Sequence, residues 1–203
     1  GKSVDGGVTN YLQDQAAGLP VVVRETSGST PKDYVYGTDL VSNQANGVWS
    51  FYHGDSLGST RIMTDIDCSI TDRYSYEVFG AVRSHTGSSW QTFTFTGEQV
   101  DTESGLVYLR SRYYDPMTGR FTSKDSYGGP ISGTQEKNRY VYSMNNPVRF
   151  TDPDGHNPIE KFLINYVLPA GMKVVEIGHK ITDVASKLLT LAGKGAEDIT
   201  KNL

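Results

Sequence analysis

An aromatic signal returns about every twenty residues along most of this 203-residue chain. It appears at Tyr34-Val35-Tyr36, Phe51-Tyr52, Tyr74-Ser75-Tyr76, Phe93-Thr94-Phe95, Tyr113-Tyr114 and Tyr140-Val141-Tyr142. From 34 to 52, 74, 93 and 113 the steps are 18, 22, 19 and 20 residues, the length of a hairpin with two strands and two turns. An aromatic-x-aromatic triplet sets both rings on one face of a strand, where they can form a ladder against the next repeat. Ser27-Gly28, Asn46-Gly47, His53-Gly54-Asp55, Thr86-Gly87, Ser104-Gly105 and Thr118-Gly119 supply turn chemistry between the aromatics. The pattern predicts a mainly β fold, a sheet of antiparallel hairpins built by repetition.

Composition narrows the class further. Gly (22) and Tyr (13) are both abundant, as strands and tight turns require. A formal charge of −4 offers no broad basic surface, so no nucleic-acid partner is expected. The single cysteine, Cys68, excludes an internal disulfide framework and a cysteine-based zinc site, and neither metal nor cofactor is expected. No run of about eighteen apolar residues exists to span a membrane. The start at Gly1, without a charged-then-apolar leader, reads as a piece of something longer.

Charge and tyrosine divide the chain near Gly155. Residues 1–155 hold nine Arg and four Lys against eighteen acids, a net of −5, and twelve of the thirteen Tyr. Residues 156–203 hold six Lys against five acids, a net of +1, and only Tyr166. Two segments, 1–155 and 156–203, are therefore expected to be built differently.

The stretch from Gly97-Glu98-Gln99 through Arg110-Ser111-Arg112-Tyr113-Tyr114-Asp115-Pro116-Met117-Thr118-Gly119-Arg120-Phe121 to Asp125 resembles the core domain of RHS proteins, whose repeats are the YD repeats. Asp55-Ser56-Leu57-Gly58-Ser59-Thr60-Arg61 before it is similar too, as are Asn138-Arg139-Tyr140-Val141-Tyr142, Asn145-Asn146-Pro147 and Asp152-Pro153-Asp154-Gly155 after it. The resemblance covers about residues 1–155 and leaves the tail untouched. It implies a spiral, cocoon-like β-shell that encloses a polypeptide, commonly a C-terminal toxin, with the core as a plug. It also implies that the core of bacterial members is an aspartic protease acting on its own chain. The family's two carboxylates map onto Asp125 and Asp152 and its arginine onto Arg112, with the cut beside Gly155, His156 and Asn157. Ser126 and His156 depart from the family pattern, which has Pro and Leu there.

The chemistry has a physical basis. Two carboxyls brought close do not both ionise easily, so one keeps a proton while the other activates water, and a guanidinium orients the ionised partner. A plainer reading stands beside it. Asp152-Pro153-Asp154-Gly155 is a type I turn sequence, Asp115-Pro116 with Gly119 marks a second turn, and Arg112 can simply pair with a strand neighbour.

The tail has its own period. Asn157, Pro158 and Glu160 form a helix start, with Ile159, Phe162, Leu163, Tyr166 and Val167 on one face before Pro169 and Gly171. Lys173, Lys180, Lys187, Lys194 and Lys201 then recur every seven residues, which places Val174, Ile181 and Leu188 at a and Ile177, Val184 and Leu191 at d of a helical seam. This second helix is expected to pack on the sheet or self-associate, or alternatively to act on membranes; an enzymatic toxin fits less well because no phosphate loop or metal cluster is present. His53, His85 and Cys68 have no partner spacing for a catalytic thiol or triad. Exposed Tyr and Trp90 could stack sugars, although ladder packing explains the same rings. The expectation is a secreted or cell-surface shell segment of bacterial type. Its partners would be the rest of its own shell or copies of itself, with glycans or a membrane as further options.

Overall fold

The computed structural model describes residues 1–4, 7–16, 19–126, 138–156 and 159–160. Nine strands follow one another in simple antiparallel order: β1 (Lys2–Val4), β2 (Gly7–Asp14), β3 (Val21–Ser27), β4 (Thr30–Tyr36), β5 (Leu40–Ala45), β6 (Val48–Gly54), β7 (Thr60–Thr64), β8 (Ile70–Tyr76) and β9 (Val82–Thr86). A second sheet holds β10 (Gln99–Asp101), β11 (Leu106–Leu109), β12 (Arg112–Asp115) and β13 (Arg120–Phe121). A last pair joins β14 (Phe150–Thr151) to β15 (Ile159–Glu160). The described residues are thus mainly β, in open antiparallel sheets.

The turns explain why the hairpins form. Asn46 and Gly47 carry φ of 51° and 79°, the two left-handed residues that match strand twist in a two-residue hairpin. Two longer connections share a different device. In Asp55–Ser59 the Asp55 carboxylate accepts the amides of Leu57 and Ser59, both at 3.0 Å. In Asp65–Ser69 the Asp65 carboxylate accepts those of Asp67 and Ser69, at 3.0 and 2.8 Å. Each side chain thereby satisfies amides that the ladder leaves unpaired. Cys68, at φ 62°, takes the left-handed place that Gly58 fills in the first loop.

Registers set Tyr34 opposite Asn43, Tyr52 opposite Met63, Met63 opposite Asp72 and Tyr74 opposite His85, so these side chains share one face. That face is covered by the chain leaving β9. Residues 89–97 form a strap that runs back across the sheet. The Tyr74 hydroxyl donates to the Ser89 carbonyl and accepts the Gln91 amide, each at 3.1 Å. The Tyr52 hydroxyl donates to Gln91 Oε1 at 3.2 Å. Phe93 meets the Tyr34 ring edge-on at 4.9 Å and closes a cluster with Val22. The Thr60 amide donates to the Thr94 carbonyl at 2.9 Å, and the Thr60 hydroxyl to the Phe93 carbonyl at 3.0 Å. Phe95 then enters a second cluster with Val107, Leu109, Tyr114, Phe121 and Tyr142. One segment therefore joins both cores.

Two expectations need correcting. The hairpin repeat does not run to residue 155: in the nine-stranded sheet it spans β1 to β9 and stops at Thr86. Phe93-Thr94-Phe95 is strap rather than strand, its two rings serving different clusters, and Tyr140-Val141-Tyr142 lies outside the named strands, meeting β13 through the Arg120–Val141 bridge, the Phe121 amide's bond to the Tyr140 carbonyl at 2.9 Å and the Tyr142–Phe121 ring contact. The cause is competition between partners. Phe93 and Phe95 are each almost fully buried, one in each core, which removes their apolar surface from water without a ladder. At the expected helix start, Ile159 and Glu160 are extended and pair with Thr151 and Phe150. Asn157, Pro158 and the seam residues Val174, Ile177, Ile181, Val184, Leu188 and Leu191 lie outside the described residues.

Candidate functional site: one guanidinium between two aspartates

Strand β12 begins with Arg112, whose side chain is 4% exposed. Arg112 and Tyr114 point to the same face, and Tyr114 pairs with Phe121. Phe121 is therefore a diagonal neighbour of Arg112, and its ring lies 3.5 Å beneath the guanidinium carbon. Every edge of the guanidinium is used. Nε donates to the Gly155 carbonyl and Nη1 to the Arg139 carbonyl at 2.9 Å. Nη2 lies 2.9 Å from Asp125 Oδ2 and 3.7 Å from Asp152 Oδ2. The three residues singled out from the sequence thus converge on one nitrogen. Desolvation pushes the Arg112 pKa down, opposed by the charges of Asp125, Asp152 and Asp154.

The two carboxyls differ sharply in setting. Asp152 is 2% exposed and its Oδ1 has no hydrogen-bond partner among the described residues. Burial pushes its pKa well above the usual carboxylate range, and the adjacent Asp154 carboxyl adds to this while Arg112 opposes it. Asp125 carries the shorter contact to Arg112 and a second one, from Oδ1 to His156 Nδ1 at 2.7 Å. Burial thus favours the neutral form of one carboxyl beside another that contacts the guanidinium more closely, and unlike settings for two carboxyls are what acid–base chemistry requires.

The turn delivering Asp152 forms as its sequence predicts, with the Gly155 amide donating to the Asp152 carbonyl at 3.3 Å. Gly155 has φ 75°, and a β-carbon there would lie 2.5 Å from the Leu109 carbonyl, so a larger residue cannot approach β11 this closely. The His156 amide donates to Asp154 Oδ1 at 2.8 Å. Arg110 fastens the same turn from outside. Its side chain donates to the Pro153 carbonyl, to Glu98 Oε2 at 2.8 Å and to the Pro20 carbonyl at 3.3 Å. Gly155 and His156 therefore lie beside the carboxyl pair, while Asn157 is outside the described residues.

Phe121, Arg139, Asp154 and Arg110 are site residues that sequence reasoning did not single out. Arg-Phe after Gly119 was visible as a string, but its role depends on the β12–β13 register. Elsewhere, His85 pairs with buried Asp72 at 3.0 Å under Tyr74 and exposed Trp90, and His53 meets Thr64 at 3.0 Å. Among the described residues no group of three His, Cys, Asp or Glu is placed to hold a metal. No helix among them is long and apolar enough to cross a membrane.

Comparison with known proteins places this geometry. The profile of the teneurin YD-shell matches residues 26–148. The chain belongs to the YD-shell family. Within it, the tRNA nuclease WapA of Bacillus subtilis is 34% identical over 160 residues, 76% of this chain and 7% of that protein. Toxin subunit YenC2 of Yersinia entomophaga is 35% identical over 118 residues, 55% of this chain and 11% of that protein. The crystal structure of TcdB2-TccC3 superposes with a TM-score of 0.58 at 22% identity, over 72% of this chain and 8% of that one. This YD-shell segment thus spans less than about a tenth of the length of these WapA and TcdB2-TccC3 relatives. The expectation that nucleic acid plays no part does not extend to the relatives. The WapA name makes tRNA the target of a protein in which a region like this one is a small share.

Proposed function

We propose that this YD-shell segment is wall and plug of a larger β-shell, and that the plug cuts its own chain beside His156. The wall reading rests on the family and on the open nine-stranded sheet. The cutting step is supported by one observation: two carboxyls in unlike settings meet a single guanidinium, Asp152 buried so that its pKa is pushed up and Asp125 in the closer contact at 2.9 Å. In that step a water loses a proton to Asp125 and its oxygen adds to the carbonyl carbon. The C–N bond then breaks as Asp152 protonates the leaving nitrogen. Arg112 steadies Asp125 and, through Nε, the Gly155 carbonyl next to the cut. With the cut after His156, residues 157–203, with the seam from Val174 to Leu191, are then the part set free, and a shell of this kind would act outside the cell that makes it.

A second reading, in which the trio is only a clamp on the plug, draws support from the guanidinium's bonds to the backbone carbonyls of Gly155 and Arg139. Intact mass separates the two. Long incubation in mild acid yields two fragments whose masses add to the chain plus one water, and Asp125→Asn and Asp152→Asn each abolish them. Fragments that appear equally in both variants contradict the cutting step; no fragment from any of the three leaves the clamp.

A further inference from the structure

Among the described residues, four buried side-chain polar atoms have no hydrogen-bond partner. Tyr34 Oη belongs to the core on the nine-stranded sheet, whereas Tyr142 Oη, Ser143 Oγ and Asp152 Oδ1 gather in one neighbourhood. The tight turn Ser143–Asn145 packs on β14, and β14 leads directly into Asp152. The Tyr142 ring meets Phe121, which lies beneath the guanidinium that faces Asp152. Burial pushes the Tyr142 pKa up; Ser143 opposes this and the charge of Asp152 adds to it. The backbone that places Ser143 here is strained. Ser143, Met144 and Asn145 carry φ of 46°, 52° and 58°, three successive left-handed residues without a glycine. Strain of this kind and unpaired buried hydroxyls both weaken a fold, and both persist where a site needs them.

We propose that Tyr142 and Ser143 are positioning residues of the self-cleavage: their hydroxyls, directly or across one water, donate to Asp152 Oδ1 as that carboxyl becomes charged. This rests on the cutting reading and adds to it. When Asp152 passes its proton to the leaving nitrogen, an anion appears on a side chain that is 2% exposed. Arg112 faces its Oδ2 at 3.7 Å, and Oδ1 needs donors of its own. A hydroxyl swings its proton toward whichever acceptor calls for it. Donors that bond the anion and not the neutral acid stabilise the later state alone, which is what lowers a barrier. Atoms balance as before: water supplies the oxygen, Asp125 takes its proton, and the leaving nitrogen gains the proton of Asp152.

The groups facing Asp152 are Arg112 from β12, Asp125 across the guanidinium, Asp154 and the His156 amide on its own turn, and Tyr142. Donors to the charged form hold a carboxyl's pKa down, so removing one moves it up. The full chain is compared with Tyr142→Phe and Ser143→Ala by intact mass over time, from about pH 4 to about pH 8. Each variant should cut at least about tenfold more slowly at the wild-type optimum, the factor for one hydrogen bond to a charged group. The limb on which the rate falls with rising pH should move to higher pH. Urea unfolding of Tyr142→Phe should match the wild type, because that hydroxyl holds nothing in the resting fold. Wild-type rates in both variants overturn the donor role and leave self-cleavage standing. Slower cutting with the limb unmoved or shifted to lower pH is a packing effect and overturns it as well. If the wild type itself does not cut, both readings are overturned.

Discussion

Arg112 shows how far one side chain's role depends on what surrounds it. Exposed, it would contribute little as a strand cation. Here it is roofed by the turn at Gly155, floored by Phe121 and flanked by two aspartates, so removing it would leave buried acceptors without a donor. Tyrosine hydroxyls in the neighbouring core offer a cleaner residue-scale test. Tyr114 and Tyr142 are both fully buried and stacked at 4.1 Å. Tyr114 donates to the Phe79 carbonyl at 2.6 Å, whereas the Tyr142 hydroxyl has no partner among the described residues. Tyr114→Phe should cost about 1–2 kcal/mol and Tyr142→Phe should stay within about 0.5 kcal/mol of the wild type or exceed it, measured by urea unfolding. Equal costs would show that both hydroxyls are bonded alike. Asp125, Asp152 and Arg112 were legible in the sequence because motif positions carry over residue by residue. The role of Phe121 was not, since it follows from a register, and that of Arg110 follows from contacts ninety and forty-three residues away.

Among the elements, the strap is what periodicity misread. Phe93-Thr94-Phe95 fits the twenty-residue spacing, yet spacing cannot distinguish a strand in the sheet from a segment laid across it. The aromatic face exists as expected; its cover is the strap rather than a ladder of rings. Phe93→Ala should therefore cost about 3–4 kcal/mol, by opening a cavity where the strap meets Tyr34 and Val22. Trp49→Ala, a larger deletion at an exposed ring stacked on Phe51 among the described residues, should cost under about 1 kcal/mol. Thermal unfolding of the two variants decides between them; a larger loss at Trp49 would return the ladder. At the other end, Asn157-Pro158-Glu160 has good helix-start chemistry, but Ile159 and Glu160 answer to open backbone groups on β14. Local capping preference of about 1 kcal/mol is readily outweighed by tertiary pairing.

For the whole molecule, the sequence of contacts runs from the nine-stranded sheet to the strap, the four-stranded sheet and the Asp152 turn. The nine-stranded sheet's aromatic face holds the strap, the strap feeds Phe95 into the core beside the four-stranded sheet, and Arg110 and Arg112 seat the Asp152 turn there. The burial that pushes the Asp152 pKa up exists only while all of this is folded, so its titration reports on the entire assembly. The sign follows from linkage. A carboxyl whose folded pKa is raised stabilises the fold fully below the ordinary value of about 3.9, and that contribution is lost as pH rises toward the folded value. Over that window the unfolded chain releases a proton that the folded chain keeps. The most direct measurement is the unfolding free energy of the wild type and Asp152→Asn in urea from about pH 4 to about pH 8. Because Asn cannot ionise, the wild-type advantage over the variant should fall with pH by about 1.4 kcal/mol per unit until Asp152 itself ionises. A difference that stays flat or grows with pH would mean that Asp152 ionises as an ordinary carboxyl, contradicting the pairing of unlike acids at Arg112.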